Sequence, residues 1–531
     1  MAFSRREFLG VGAAVGVAGL VRLDAQPVPS SRKIFKHGVA SGDPLSNSVI
    51  LWTRVTAPQA ATPEVVWEVA TDRAFTRVVM RGTTVTGWER DFTVKIDATG
   101  LKPATPYYYR FQSLGERSPI GRTKTMPAAG AEHLRLAVAS CANFPYGYFN
   151  AYGGIARRAD LDAVLHLGDY IYEYANGVYG DGTKIGRISD PNREAISILD
   201  YRMRHAQYKS DPDLQEAHRQ HPWIVIWDDH EVANNTWRDG AENHQPDRGE
   251  GGFEARRDAA AQAYFEWMPI REDRATRRPR IYRTFPIGGL ADLIMLDTRV
   301  IERDEQAARR DAVAIVDDPS RTLLGRAQEQ WLYDELRESK RAGTRWQLLG
   351  QQIPFAPLSL AAAPSASTDT WEGYRPARTR LLDAITSLNL SNVAVLTGDV
   401  HSSWGYDIAA NPWDGYDASS GRGTIAVEIV APSITSPSGF GNTPDEVARR
   451  AEKYRAERPH LRYVEGELRG YFVLDVTRER LQADWFYVPA VTEQTTVETF
   501  GRGLTSVAGS PHLVESASPA AAKSSAEPAE N

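Results

Sequence analysis

Ala163-Val164-Leu165-His166-Leu167-Gly168-Asp169-Tyr170-Ile171-Tyr172 is the stretch on which the fold turns. An apolar run of strand length stops at a glycine, and a carboxylate and two tyrosines follow at once. The same texture recurs along the chain. Leu134 to Ala139 leads into Ser140-Cys141, Trp223 to Trp227 into Asp228-Asp229-His230, and Val393 to Thr397 into Gly398-Asp399-Val400-His401. Two more apolar runs, Leu293 to Leu296 and Trp346 to Leu349, share the pattern, and helical stretches such as Tyr264 to Trp267 and Arg326 to Arg341 alternate with them. Apolar strands alternating with helices predict an α/β unit. The longer runs Tyr471 to Val476 and Leu481 to Val488 alternate apolar with polar residues, which predicts a mixed portion in its sheets.

In an α/β sheet the strand ends at one edge border a common crevice, where residues distant in sequence meet. Cys141, Asp169, Asp229, Asp399 and His401 each stand just past a strand-like run. Acids brought that close repel unless cations neutralise them, so the pattern points to bound metal. Taken singly, each residue has a plainer explanation. A Gly-Asp pair caps a turn or helix, Tyr172 fits a core aromatic, Cys141 a small buried hydrophobe, and His401 a hydrogen-bonded imidazole. Recurrence at four strand ends favours function.

Upstream, residues 33–127 carry short β-rich segments, among them Ser48 to Val55, Glu64 to Ala70, Val78 to Val85 and Tyr107 to Gln112, which predict an all-β sandwich. Leu101 to Tyr107 has the pattern of a tyrosine corner, a structural motif. The α/β unit is expected over 133–507. The tail, 508–531, is rich in Ala, Ser, Glu and Pro and is expected to stay disordered for want of apolar surface.

At the other end, Ser4-Arg5-Arg6-Glu7-Phe8-Leu9, the apolar stretch Gly10 to Val21 and the small residue Ala25 read as a signal peptide over 1–25. The paired arginines predict export by the twin-arginine translocation machinery to the periplasm or beyond. A composition 42% hydrophobic and 24% charged, with a net charge of -6, is that of a soluble globular protein and argues against nucleic acid as a partner. Past the leader no apolar run approaches the roughly 18 residues a membrane span needs. With one cysteine, Cys141, the chain forms no internal disulfide, so that thiol needs another reason to be there.

Ser140-Cys141, Gly168 to Tyr172, Asp228-Asp229-His230-Glu231-Val232-Ala233-Asn234-Asn235 and Gly398 to His401 resemble the motif set of the PhoD-type alkaline phosphatases. With the leader and Gly38-Val39-Ala40-Ser41-Gly42-Asp43-Pro44, the likeness covers nearly all of the chain except the tail. The wider metallophosphoesterase class, purple acid phosphatases included, is similar in its Gly-Asp-x-x-Tyr element, whose tyrosine binds ferric iron. The resemblance implies a catalytic α/β domain of two mixed β-sheets flanked by helices, preceded by a fibronectin-III-like sandwich. It implies ferric iron on Cys141, Asp169, Tyr172 and His401, and calcium on Asp229, Asp399 and Asn235, the last chosen over Asn234. These donor sets agree with the chemistry, since thiolate, phenolate and imidazole suit a transition metal and oxygen donors suit calcium.

The resemblance further implies that a metal-held hydroxide attacks phosphorus in line, with His230 as the catalytic group at the leaving oxygen. Phosphomonoesters, and phosphodiesters with them, are the expected substrates. Arg299 is a candidate substrate contact through phosphate, or else a structural salt bridge. A phosphodiesterase or phospholipase D fits the same motifs. A secreted binding protein stabilised by metals, and thiol catalysis by Cys141, are the alternatives outside the class. A free acid/base such as His230 has no purpose in the first, and no neighbouring histidine marks a base for the second.

Overall fold

The computed structural model describes residues 33–272, 280–308, 315–358, 368–441, 443–523 and 528. The expected signal peptide lies outside the described residues. Three sheets organise the chain. The largest has ten strands in the order Ser510–Ser516, Thr499–Val507, Arg480–Val488, Arg469–Thr477, His133–Ala139, Ala163–His166, Pro222–Val225, Val39–Gly42, Ser48–Arg54 and Thr93–Thr99. Its centre is parallel, with Val164 opposite both Ala137 and Trp223, and its flanks are antiparallel. The seven-stranded sheet runs Arg283–Ile287, Ala291–Met295, Trp346–Gly350, Val393–Thr397, Thr424–Val430, Ser403–Ala409 and Leu461–Glu465, again parallel at its centre.

Strand periodicity explains how the two sheets pack. Along Ala291–Met295 and just beyond, Leu293 and Met295 enter the core shared with the ten-stranded sheet, while Ile294 and Leu296 enter a second core on the opposite face. Val393–Thr397 divides the same way, Ala394 and Leu396 inward, Val393 and Val395 outward. A strand buried on both faces has no polar side to show, which is why these runs are apolar throughout. The outer face is covered by helices Gly325–Ala342 and Arg375–Ser387, the first burying Leu332 and Leu336 one turn apart.

The all-β region departs from the sequence expectation. It is not a self-contained sandwich, because Val39–Gly42 pairs parallel with Pro222–Val225, Ser41 opposite Pro222 and Gly42 opposite Trp223. Val39–Gly42, Ser48–Arg54 and Thr93–Thr99 thus extend the large sheet across the expected boundary. A five-stranded sheet built on Val78–Val85, Glu64–Ala70 and Pro106–Ser113 is the second layer, where Val65, Val69, Tyr109 and Phe111 meet Val39, Val49 and Leu51. The physical reason is the open edge that Pro222–Val225 would otherwise present to water. The tyrosine corner is formed, the Tyr107 hydroxyl accepting from the Lys102 N–H at 2.9 Å.

The tail also departs from expectation. Ser510–Ser516 pairs antiparallel with Thr499–Val507 as the outermost strand of the large sheet, and Leu513 is fully buried. Farther on, the Ala521 carbonyl accepts from Arg135 Nη1 at 2.8 Å and Lys523 pairs with Asp162 at 2.6 Å. Composition predicted disorder because it weighs only apolar content. Backbone pairing at a sheet edge, a hydrogen bond from Arg135 and one ion pair supply the rest.

Candidate metal centre

His133–Ala139, Ala163–His166 and Pro222–Val225 are adjacent and parallel, so their C-terminal ends set Cys141, Asp169 and the pair Asp228-Asp229 side by side. From the facing sheet, Val393–Thr397 delivers Asp399 and His401 to the same edge, and Ala291–Met295 delivers Asp297 and Arg299. The turns lock together: Cys141 N donates to Gly168 O at 3.1 Å and Ala142 N to Asp169 O at 2.8 Å. Gly168, at φ 104°, is required there, since a Cβ would lie 2.4 Å from that of Asp228. Glu231 stitches the floor, its carboxylate accepting the N–H groups of Asp169, Tyr170 and Asp228 at 3.1, 2.5 and 2.7 Å.

Three overlapping groups result, each with ligand atoms within 4.8 Å of one another: Cys141, Asp169 and His401; Asp169, Asp229 and His230; Asp228, Asp229 and Asp399. Asp169 belongs to two of them. Tyr172 joins the first, its hydroxyl donating to Asp169 Oδ2 at 2.7 Å and lying 3.1 Å from His401 Nε2. Five expected ligands, Cys141, Asp169, Asn235, Asp399 and His401, hold φ between 53° and 64°. Left-handed backbone costs a non-glycine residue roughly 1–3 kcal/mol and concentrates where function needs a particular direction.

Electrostatics oppose a full negative charge on the cluster. Burial pushes the Cys141 thiol well above its ordinary range, and the Asp169 carboxylate adds to the push. Tyr172 is raised for the same two reasons. Asp228 and Asp399 are likewise raised by burial, against the pull of Arg299. Asp229 is the exception: burial works against its charge, yet Arg299 and His230 hold it down to about 2. Asp169 Oδ1 and Asp228 Oδ2 are buried with no hydrogen-bond partner among the described residues. A bare buried carboxylate oxygen costs about 1–3 kcal/mol or more, so these atoms fit metal ions that would engage them.

The His230 ring is tilted over that of Tyr172 with centroids 4.3 Å apart, and its Nδ1 donates to Glu173 Oε2 at 2.8 Å. Burial would discharge the ring, but Asp229, Glu173 and Asp169 outweigh it and hold its pKa well above the usual value. Glu173 is fully buried and fixed in turn by Asn234 N at 2.7 Å and Asn243 Nδ2 at 2.8 Å. The Asn235 backbone N–H donates to Asp229 Oδ2 at 2.5 Å, and its amide nitrogen bonds Glu242, leaving Oδ1 as its donor atom.

Of the two expectations for Arg299, a substrate contact or a structural salt bridge, the structure shows the second: the residue is fully buried, with Nε on Asp228, Nη1 on Asp369 at 2.7 Å and Nη2 on Asp399 at 2.5 Å. A guanidinium held by three acids has no face left for a phosphate. Sequence reasoning missed Glu173 and Tyr179, although both lie just past the Gly168 to Tyr172 motif. It also missed Asp369, which no strand or motif announces.

Two facing mixed sheets thus deliver a thiol, a phenol, imidazoles and clustered acids to one edge, as candidate metal-binding groups of a hydrolase. A model described as "PhoD-like phosphatase" matches residues 136–485, and one described as "PhoD-like phosphatase, N-terminal domain" matches residues 22–127. "Alkaline phosphatase D" of Bacillus subtilis (strain 168) is 41% identical over 521 residues, covering 92% of this chain and 85% of that one. A solved structure described as "Structure of PhoD" superposes with a TM-score of 0.81 at 38% identity, covering 92% of this chain and 93% of that one. The chain belongs to the PhoD-like phosphatase family and is a hydrolase of phosphoric esters.

Proposed function

We propose that this protein is an exported alkaline phosphatase that hydrolyses phosphomonoesters and phosphodiesters with ferric iron and calcium bound at the strand ends. The observation that carries the reading is Asp169, whose partnerless Oδ1 stands between the Cys141, Tyr172 and His401 set and the Asp229 and His230 set. The first set has soft and phenolic donors and suits iron. Asp229, Asp399 and Asn235 offer oxygen alone and suit calcium. Cations held there would supply hydroxide at ordinary pH and neutralise phosphate oxygens.

The chain's own residues do the rest. His230, oriented by its hydrogen bond to Glu173, donates a proton to the leaving oxygen. Arg299 positions Asp228, Asp369 and Asp399 and holds them from repelling one another. The twin-arginine leader in the sequence supports export, and among the described residues no helix is long and apolar enough to cross a membrane. Elemental analysis of protein made in its native exporter, alongside assays on p-nitrophenyl phosphate and bis(p-nitrophenyl) phosphate, tests the reading. Iron and calcium in the protein and turnover of both esters are expected. Zinc as the sole metal, or no turnover of either ester, would refute it.

A further inference from the structure

Arg299 and Arg303 beside the metal centre are tied to carboxylates. Arg469, on the rim, is not. Among the described residues it has no ion pair; Nη1 donates to the Glu467 carbonyl two residues back, and Nε is buried without a partner. Burial pushes its guanidinium below the usual range. Glu465 and Glu467 lie within electrostatic reach, but neither carboxylate forms an ion pair with the guanidinium, which leaves it able to take an anion from outside the chain.

Its place in the fold says where that anion sits. Gly470 N donates to Ser433 O at 3.0 Å and Ser438 Oγ donates to Gly466 O, so the turn bearing Arg469 packs on residues 433–438. That segment walls the metal centre: Ser436 Oγ bonds the Tyr172 hydroxyl at 2.8 Å, and Pro437 O accepts from His401 Nδ1 at 2.9 Å. The Tyr179 hydroxyl lies 3.1 Å from His401 Nδ1, and Arg469 is within its electrostatic reach. Tyr146 also lies within electrostatic reach of Arg469.

We propose that Arg469, with Tyr179 and Tyr146 nearby, is an anion subsite at the rim of the metal centre that selects phosphoesters carrying a second negative group. The proposal rests on the reading of the metal centre as the phosphoesterase site. A guanidinium takes a carboxylate or phosphate through two parallel hydrogen bonds, and tyrosine hydroxyls donate to either anion. One substrate would thus span both places, its reacting phosphate among the strand-end ligands and its second anion on Arg469. The remote contact would help fix the geometry of the reacting group.

The test compares metal-loaded, full-length wild type, Arg469→Gln, Arg469→Lys and Arg469→Glu on three esters. Glycerol 3-phosphate lacks a second anion, 3-phosphoglycerate has a carboxylate and glycerol 1,3-bisphosphate a second phosphate. Wild type is expected to favour at least one anionic ester by about tenfold in kcat/KM, the scale of one charge-assisted hydrogen bond. Which of the two is favoured identifies the anion. The preference should vanish in Arg469→Gln, survive in part in Arg469→Lys and reverse in Arg469→Glu, with melting temperature and metal content used to confirm folding. Equal loss on all three esters in a folded variant, or an unchanged preference, would overturn the subsite and leave the phosphoesterase reading standing. Wild type that hydrolyses none of the three would overturn the subsite, while turnover of p-nitrophenyl phosphate or bis(p-nitrophenyl) phosphate decides the phosphoesterase reading.

Discussion

Cys141 combines a left-handed backbone at φ 61° with complete burial, and a small core hydrophobe needs no such backbone. Asp, Asn and His adopt that conformation readily enough, but Cys does not, so the turn holds the sulfur in place at a cost. If the thiol ligates iron, Cys141→Ala should lose iron and cut the rate by about two orders of magnitude or more with the fold intact by circular dichroism. Cys141→Ser should rescue poorly, because an alcohol seldom ionises. Wild-type iron and rate in folded Cys141→Ala would remove cysteine from the site. Glu173 is the next residue to test: Glu173→Gln keeps a hydrogen bond to His230 but removes the charge that helps hold its proton. Its kcat should fall about ten- to a hundredfold with metal content unchanged. An unaltered kcat would show that the pair is structural. The ligands were legible because each ends an apolar run. Glu173, Asp369 and the fate of Arg299 were not, because a buried carboxylate and its partner reveal each other only once the strands are laid side by side.

Among the elements, the parallel strands were legible and the edges were not. Apolar runs such as Ala163–His166 and Val393–Thr397 announce burial on both faces, whereas strand pairing at an edge depends on backbone groups that every sequence possesses. The C-terminal strand makes the point testable. Deleting residues 510–531 removes the pairing to Thr499–Val507, the buried Leu513 and the Lys523–Asp162 ion pair. It should cost about 2–3 kcal/mol and lower the melting temperature by about 2–3 °C. An unchanged melting curve would show that this strand is incidental.

At the scale of the whole molecule, one sheet runs from the all-β region through the parallel centre to the tail, so the centre that holds Cys141, Asp169 and Asp229 is braced on both sides. Its core also carries a pH liability. His166, His205 and His221 have no exposed surface, and burial pushes each down to about 3. Their folded pKa lies below the unfolded value of about 6.5, so the stability they confer is complete above that value and lost as pH falls from 6.5 towards 3. Each should forfeit roughly 2 kcal/mol by pH 5. The denaturant midpoint of metal-loaded protein should therefore drop steeply below pH 6.5. A midpoint flat from pH 7 to 4 would mean these rings are charged in the fold.

The central claim is that the strand-end residues act through metal ions. Turnover of p-nitrophenyl phosphate by wild type stripped of metal, then refilled with iron and calcium, tests it most directly. The rate should fall by at least about a hundredfold on stripping and return only with the metals. Full turnover by the stripped protein would contradict the account.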